Sequence, residues 1–359
     1  MWFDVLIAAI KALVFVSALL GLTSFLTWQE RKQSAVMQDR LGANRADIFG
    51  IRAFGLFHII ADALKMFFKE DYVPPGGDRL LHTMAPFVAL FFAVMSFAAI
   101  PFGDTVTVAG HQTELVVFPL NVGLLFIFAM MSMGIYGVFL AGFSSNNKYA
   151  FLGGLRASSQ MISYEITMGA TLVGLLMIFG TLDLNEINRS QGQLLWGWLP
   201  KWGIILQPLG FLLFLTAGIA ETKRIPFDLP EGESEIIGYF VEYSSMKFGA
   251  FFMTDFIETI LVAALVSTLF FGGWQVPYLQ ADGFHLPWGP TILLGQWTVT
   301  ALQLAAFGAK VFFFCWFLLL VRWTLPRFRY DQLMHLGWKI MLPLSVVNIF
   351  LTGAALLLL

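Results

Sequence analysis

Residues 221–247 read ETKRIPFDLPEGESEIIGYFVEYSSMK, and the reading of this stretch decides the reading of the whole chain. Six carboxylates lie between Glu221 and Glu242, with Pro226, Pro230 and Gly232 among them. Apolar runs of membrane length, 203–220 and 249–271, press on it from both sides. A chain that gathers acids between two such runs either displays a solvated loop or builds a polar cavity. The stretch by itself leaves both readings open.

Outward from it the chain is mostly hydrocarbon. Of 359 residues, 58% are hydrophobic and 12% charged, about half the roughly 25% charged share of a soluble domain. Repeated apolar runs near 20 residues long predict an all-α polytopic membrane protein. The alternating segments of a membrane β-barrel are absent from the sequence. Eight spans are expected, at 3–27, 83–103, 117–142, 160–181, 203–220, 249–271, 299–321 and 340–359. They form one integral membrane domain over 1–359. The first segment has no basic region before it and no small-residue cleavage site, so it is read as a retained helix. With a net charge of −2 and no basic tail, the chain offers nothing to nucleic acid.

Cysteine and histidine usage bounds the chemistry. Cys315 stands alone, which excludes an internal disulfide and an iron–sulfur cluster held by this chain. The five histidines are scattered without ligand spacing, so no metal site is expected. Electrons for any redox reaction must therefore come from another subunit.

The segments between spans divide sharply in Lys and Arg. Segments 28–82, 143–159, 221–248 and 322–339 carry eight, two, three and four, seventeen in all; the opposite side has only Arg189 and Lys201. The positive-inside rule puts the acid-rich stretch on the cytoplasmic or matrix side, with both termini opposite. On that side, residues 48–69 read as an amphipathic helix and not as a ninth span. His58, Asp62, Lys65 and Lys69 fall on one stripe of it. Such a helix either lies on the membrane surface or lines the mouth of a cavity. Asp62, in the middle of the polar stripe, favours the second.

Ionisable residues within spans are the remaining signals. Glu165 lies within about two turns of the cytoplasmic end of its span. Asp255 and Glu258 lie one turn apart and deeper, where a carboxylate needs a partner, a cavity or water. Lys310 sits about ten residues from either end of its run, too deep to snorkel, and is assigned to an intramembrane relay. Arg322, Arg327, Arg329 and Lys339 follow that span and complement the acids at 221–242 in sign.

Five blocks taken together resemble one family. They are ERKQSAVMQDRLGANR, ADALKMFFKE, SNNKYAFLGGLRASSQMISYE, AETKRIPFDLPEGESEIIGYFVEYSSMKFGAFF and RWTLPRFRYDQLMHLGWK, in order between residues 30 and 343. The chain is similar to the H subunit of respiratory complex I, the proton-pumping NADH:quinone oxidoreductase, whose mitochondrial counterpart is NADH dehydrogenase subunit 1. The resemblance implies a quinone-access chamber lined or supported by Glu30, Arg31, Asp62, Lys65, Arg224, Glu231, Glu233, Arg322 and Arg327. It implies that Glu165, Glu221 and Asp255 belong to a proton path, which Glu258 joins by its place beside Asp255. Quinone is then the substrate, with NADH, FMN and iron–sulfur clusters in partner subunits and no cofactor bound by this chain alone. The implied partners are the peripheral quinone-site and iron–sulfur subunits, small membrane subunits, antiporter-like subunits and membrane lipid. The implied location is an energy-transducing membrane, the bacterial inner (plasma) membrane.

Three departures stand out. Ala43 replaces a proline of the family's G-P-N-R motif, Asp255 stands where glutamate is expected, and the chain has no ninth span. Two other readings compete. A hydrogenase or formate-hydrogen lyase anchor carries homologous blocks without quinone. A stand-alone ion carrier would show inverted repeats or paired broken spans, which are not evident.

Overall fold

In hydrocarbon a helix satisfies every backbone N–H and C=O within one segment, and the apolar runs fold accordingly. A computed structural model describes all residues except 1, 109, 230, 231, 233, 234, 286, 288, 290 and 359, with backbone alone for 2–6 and 108. The helices in chain order are α1 (Trp2–Met37), α2 (Phe57–Phe68), α3 (Arg79–Ser96), α4 (Gly123–Ser144), α5 (Lys148–Phe179) and α6 (Leu184–Gln191). They continue with α7 (Gly203–Leu206), α8 (Pro208–Glu221), α9 (Ser245–Phe270), α10 (Gln296–Thr324), α11 (Tyr330–His335) and α12 (Leu342–Leu358). A π-helical turn over Leu336–Met341 joins the last two.

Among the described residues, 7 helical runs are long and apolar enough to cross a membrane: α1, α3, α4, α5, α9, α10 and the continuous run from α11 through α12. The chain is an all-α polytopic membrane protein. The run expected at 203–220 is instead broken in two. Gln207 adopts φ −139°, ψ 68° between α7 and α8, and Pro208 opens α8. Proline at a first helical position has no N–H to leave unpaired. The break is held inside the bundle by side chains: Gln207 Nε2 donates to Thr352 Oγ1 at 2.5 Å, and Asn348 Nδ2 donates to Gln207 Oε1 at 3.2 Å.

Several helices outrun their apolar segments on the arginine-rich side. α1 continues to Met37 because nothing in QERKQSAVM interrupts a helix. α5 starts at Lys148, capped by the Asn147 side chain, which accepts from Tyr149 N at 3.0 Å. By contrast, the amphipathic helix is shorter than 48–69. Residues 48–56 form a bridge between Ile48 and Ile51 and a 3₁₀ turn, with positive φ at Phe49, Gly50, Ala53, Phe54 and Gly55. A helix cannot run through such backbone.

α9 is the hub. Every residue from Thr259 to Phe270 is buried, as expected of a helix apolar on all faces in the middle of a bundle. It packs on α1, α2, α3, α8 and α10. On the arginine-poor side, short antiparallel hairpins close the connecting segments, at Thr105–Val108 with His111–Glu114, at Leu194–Leu195 with Leu199–Pro200, and over 279–293. Arg189 pairs there with Asp104 at 2.7 Å.

Candidate functional site

The arginine-rich ends of α1, α2, α9 and α10 meet the segment 222–244. α9 brings Phe248, Phe252 and Phe256 to one face at intervals of four residues. Opposite them stand Thr23, Ser24 and Thr27 of α1 and Ile59, Ala63 and Met66 of α2, around a cavity of about 300 Å³. Arg31, Asp62, Lys65 and Lys69 border it, and Arg31 and Asp62 form an ion pair. So α2 does line a cavity with Asp62, Lys65 and Lys69 of its polar stripe, while His58, the fourth residue of that stripe, is not among the lining residues. The lining is mostly apolar, with hydroxyls from α1 and charged side chains from α1 and α2.

Glu30 and Arg224 lie buried beside this cavity. Glu30 Oε1 is 2.7 Å from Arg322, and its Oε2 is 3.5 Å from Arg224. The Arg224 guanidinium lies 3.9 Å above the centre of the Phe256 ring, so the same side chain touches the charged cluster and the apolar wall. Cation–π contact of this kind is strongest where water is excluded.

Arg327 pairs at 3.0 Å with Asp228, whose side chain is 2% exposed. Around this pair the segments after α8 and α10 zip together: Phe328 N donates to Pro226 O at 3.0 Å, and the rings of Phe227 and Phe328 stack. Gln160 of α5 fixes the turn from behind, donating to Ala220 O at 2.7 Å and Phe227 O at 2.8 Å. The later half of the segment rests on α5, where Arg156 meets Glu235 at 2.5 Å. Gly153 permits this docking, because a Cβ there would lie 2.4 Å from Ile237 O. Glu231 and Glu233 lie outside the described residues.

Beyond the turn the carboxylates expected within spans come together. Lys223 Nζ lies 3.2 Å from Asp255 Oδ1 and 3.0 Å from Glu258 Oε2. Burial alone would pull this ammonium down, but the fields of Glu258, Tyr239 and Asp255 outweigh it and hold the group well above the ordinary lysine range. Glu221 is 2% exposed, and its Oε2 has no hydrogen-bond partner among the described residues. Glu221 and Glu258 line one small gap with Met130, Met131 and Met161, of about 10 Å³, roughly the space of a single water. Glu165 accepts a hydrogen bond from Ser132 of α4.

Lys310 stands apart from these groups. Its three N–H donors go to Phe271 O, Gly273 O and Gln275 O at 2.7–2.8 Å, and the Trp202 ring lies 5.3 Å away. An ammonium has three donors, so all are taken by carbonyls beyond the C-terminus of α9.

Sequence reasoning missed Lys223. It counts among the positive flanking charges, and nothing in its immediate neighbours separates it from them. The usable signal was distance: it follows α8 directly, with two intramembrane acids on the next span. Asp228 and Gln160 were missed because their roles depend on a turn that hydropathy does not show.

Known proteins are similar to this sequence over almost its whole length. The model of a family described as NADH dehydrogenase matches residues 10–353. An NADH-quinone oxidoreductase H subunit of Cytophaga hutchinsonii is 44% identical over 340 residues, 94% of this chain and 93% of that protein. The corresponding H subunit of Thermomicrobium roseum is 42% identical over 356 residues, covering 98% and 96%. That of Flavobacterium johnsoniae is 41% identical over 357 residues, covering 99% and 95%.

Proposed function

The chain belongs to the NADH dehydrogenase family as a membrane subunit of NADH-quinone oxidoreductase, and from that membership we propose that the cavity between α1, α2 and α9 admits the quinone. The tail lies against Phe248, Phe252 and Phe256, and the head group turns toward Glu30, Arg224 and Arg322. Arg31, Asp62 and Lys65 form the mouth, and Arg327 holds the roof through Asp228. Glu231 and Glu233 are assigned to the chamber by the family resemblance alone. We place this face on the cytoplasmic side of a bacterial inner membrane, from the seventeen-to-two division of Lys and Arg.

In this reading electrons pass from NADH through flavin and iron–sulfur groups of partner subunits. The quinone takes up two electrons and two protons to become quinol. The change of charge at the Glu30–Arg224–Arg322 cluster is felt across the turn by Asp255, Glu258, Glu221 and Glu165. These acids hand protons on toward antiporter-like subunits.

The observation that carries the reading is the cavity itself, mostly apolar in its lining and bordered by the Arg31–Asp62 ion pair, with the Glu30–Arg224–Arg322 cluster beside it. Met253→Trp, which fills it, is expected to raise the KM for quinone in the assembled complex about tenfold, a change of about 1.4 kcal/mol. NADH oxidation by an artificial acceptor upstream of quinone is the control. Quinone kinetics at wild-type values in Met253→Trp would remove the cavity from the quinone route.

A further inference from the structure

Lys223 and Arg224 are neighbours in sequence and face different clusters. Lys223 has φ 54°, in the left-handed region, and the chain turns there. Its ammonium then reaches Asp255 and Glu258, while the next side chain reaches Glu30 and Phe256. Both are buried, at 4% and 8% exposure. Neither end of this buried dipeptide can be released without leaving charges unpaired, so a displacement at one end loads the contacts at the other.

The charges on the inner side sum simply. One ammonium and two ionised carboxylates carry −1, and the same three groups carry zero with one proton added. With Lys223 in contact, its ammonium offsets one of the two carboxylate charges. With Lys223 withdrawn, two carboxylates one turn apart on α9 repel each other in a place of low polarity, and one of them takes a proton. Glu221, across the small gap from Glu258, is the neighbour placed to supply it.

We propose that the Lys223–Arg224 dipeptide is a positioning element that joins the two sites. Arg224 follows the charge of the cavity cluster through Glu30, and Lys223, moved with it, sets whether Asp255 and Glu258 share a proton. In the step itself an O–H bond of Glu221 breaks and an O–H bond of Asp255 or Glu258 forms. No electron moves. This rests on the quinone reading of the cavity and adds the residues that transmit its state.

The test uses the assembled complex in inverted membrane vesicles, reading protons moved per quinone reduced together with the infrared signal of protonated carboxyls before and after NADH. Lys223→Met is expected to lower the proton-to-quinone ratio about threefold or more, and to show already before NADH the shift of the protonated-carboxyl band that wild type shows only after it, the proton having left Glu221 for Asp255 or Glu258. Lys223→Arg restores both readings. If Lys223→Met does not assemble, Lys223→Gln, which keeps a hydrogen-bond donor for the two acids but carries no charge, takes its place, and a lowered ratio is expected again. A wild-type ratio in Lys223→Met, or in Lys223→Gln where only that assembles, overturns the proposal. A cavity that does not take quinone shows itself separately, as unchanged quinone KM in Met253→Trp, whatever the ratio does in the lysine variants.

Discussion

A lysine deep in an apolar run invites a role in proton transfer, and Lys310 shows what depth alone leaves out. Hydropathy locates it far from either end of its run, and that reading of its surroundings agrees with its partial burial. Its partners come from elsewhere: α9 stops at Phe270, and the carbonyls that follow are turned toward α10. Saturated in this way, the ammonium ties two helices together. Lys310→Met is expected to destabilise the protein by on the order of 3 kcal/mol, since hydrogen bonds from a charged donor contribute about 1.5–3 kcal/mol each and do not add. The readings are a lowered dissociation temperature of the complex and an unaltered proton-to-quinone ratio. Normal stability with a lost ratio would return Lys310 to the proton path. Lys223 is the converse case, a plain flanking charge in sequence and a buried counter-ion in space. In both, chemical type was legible and partner was not, because partners depend on where a neighbouring helix ends.

Among elements, the segment after α8 is governed less by its acids than by the helix it lies on. Glycine at 153 lets the carbonyl of Ile237 approach α5 more closely than any side chain allows. Gly153→Val therefore pushes the segment off, at a cost of about 1–3 kcal/mol typical of overpacking, and separates Arg156 from Glu235. Limited proteolysis of inverted vesicles is expected to cut the variant between residues 235 and 244 faster than wild type. Equal cleavage rates would show that α5 is not what holds the segment. The resemblance in sequence marked AFLGGLRASSQ as a block but gave no reason for its glycines, because close approach is a property of two elements.

For the whole molecule, hydropathy predicted the helical runs well and their ends poorly. Helix ends answer to caps and breakers such as Asn147 and Pro208, while apolar runs answer to lipid. The sidedness deduced from Lys and Arg is open to direct labelling, since the native Cys315 is fully buried. In the intact complex, Lys148→Cys is expected to react with an impermeant maleimide in inverted vesicles, and Gln112→Cys in right-side-out ones. The reverse pattern would invert the topology. The break at Gln207 then has a mechanical meaning. α9 is packed in the middle of the bundle and α5 runs unbroken for 32 residues, so these helices form a stiff frame. α8 is a strut of 14 residues, jointed at one end by two side-chain hydrogen bonds. Glu221 and the Lys223–Arg224 pair sit at its other end. The acids therefore sit at the far end of a short strut from its joint, so that a tilt at Gln207 would carry them farther than any other part of α8.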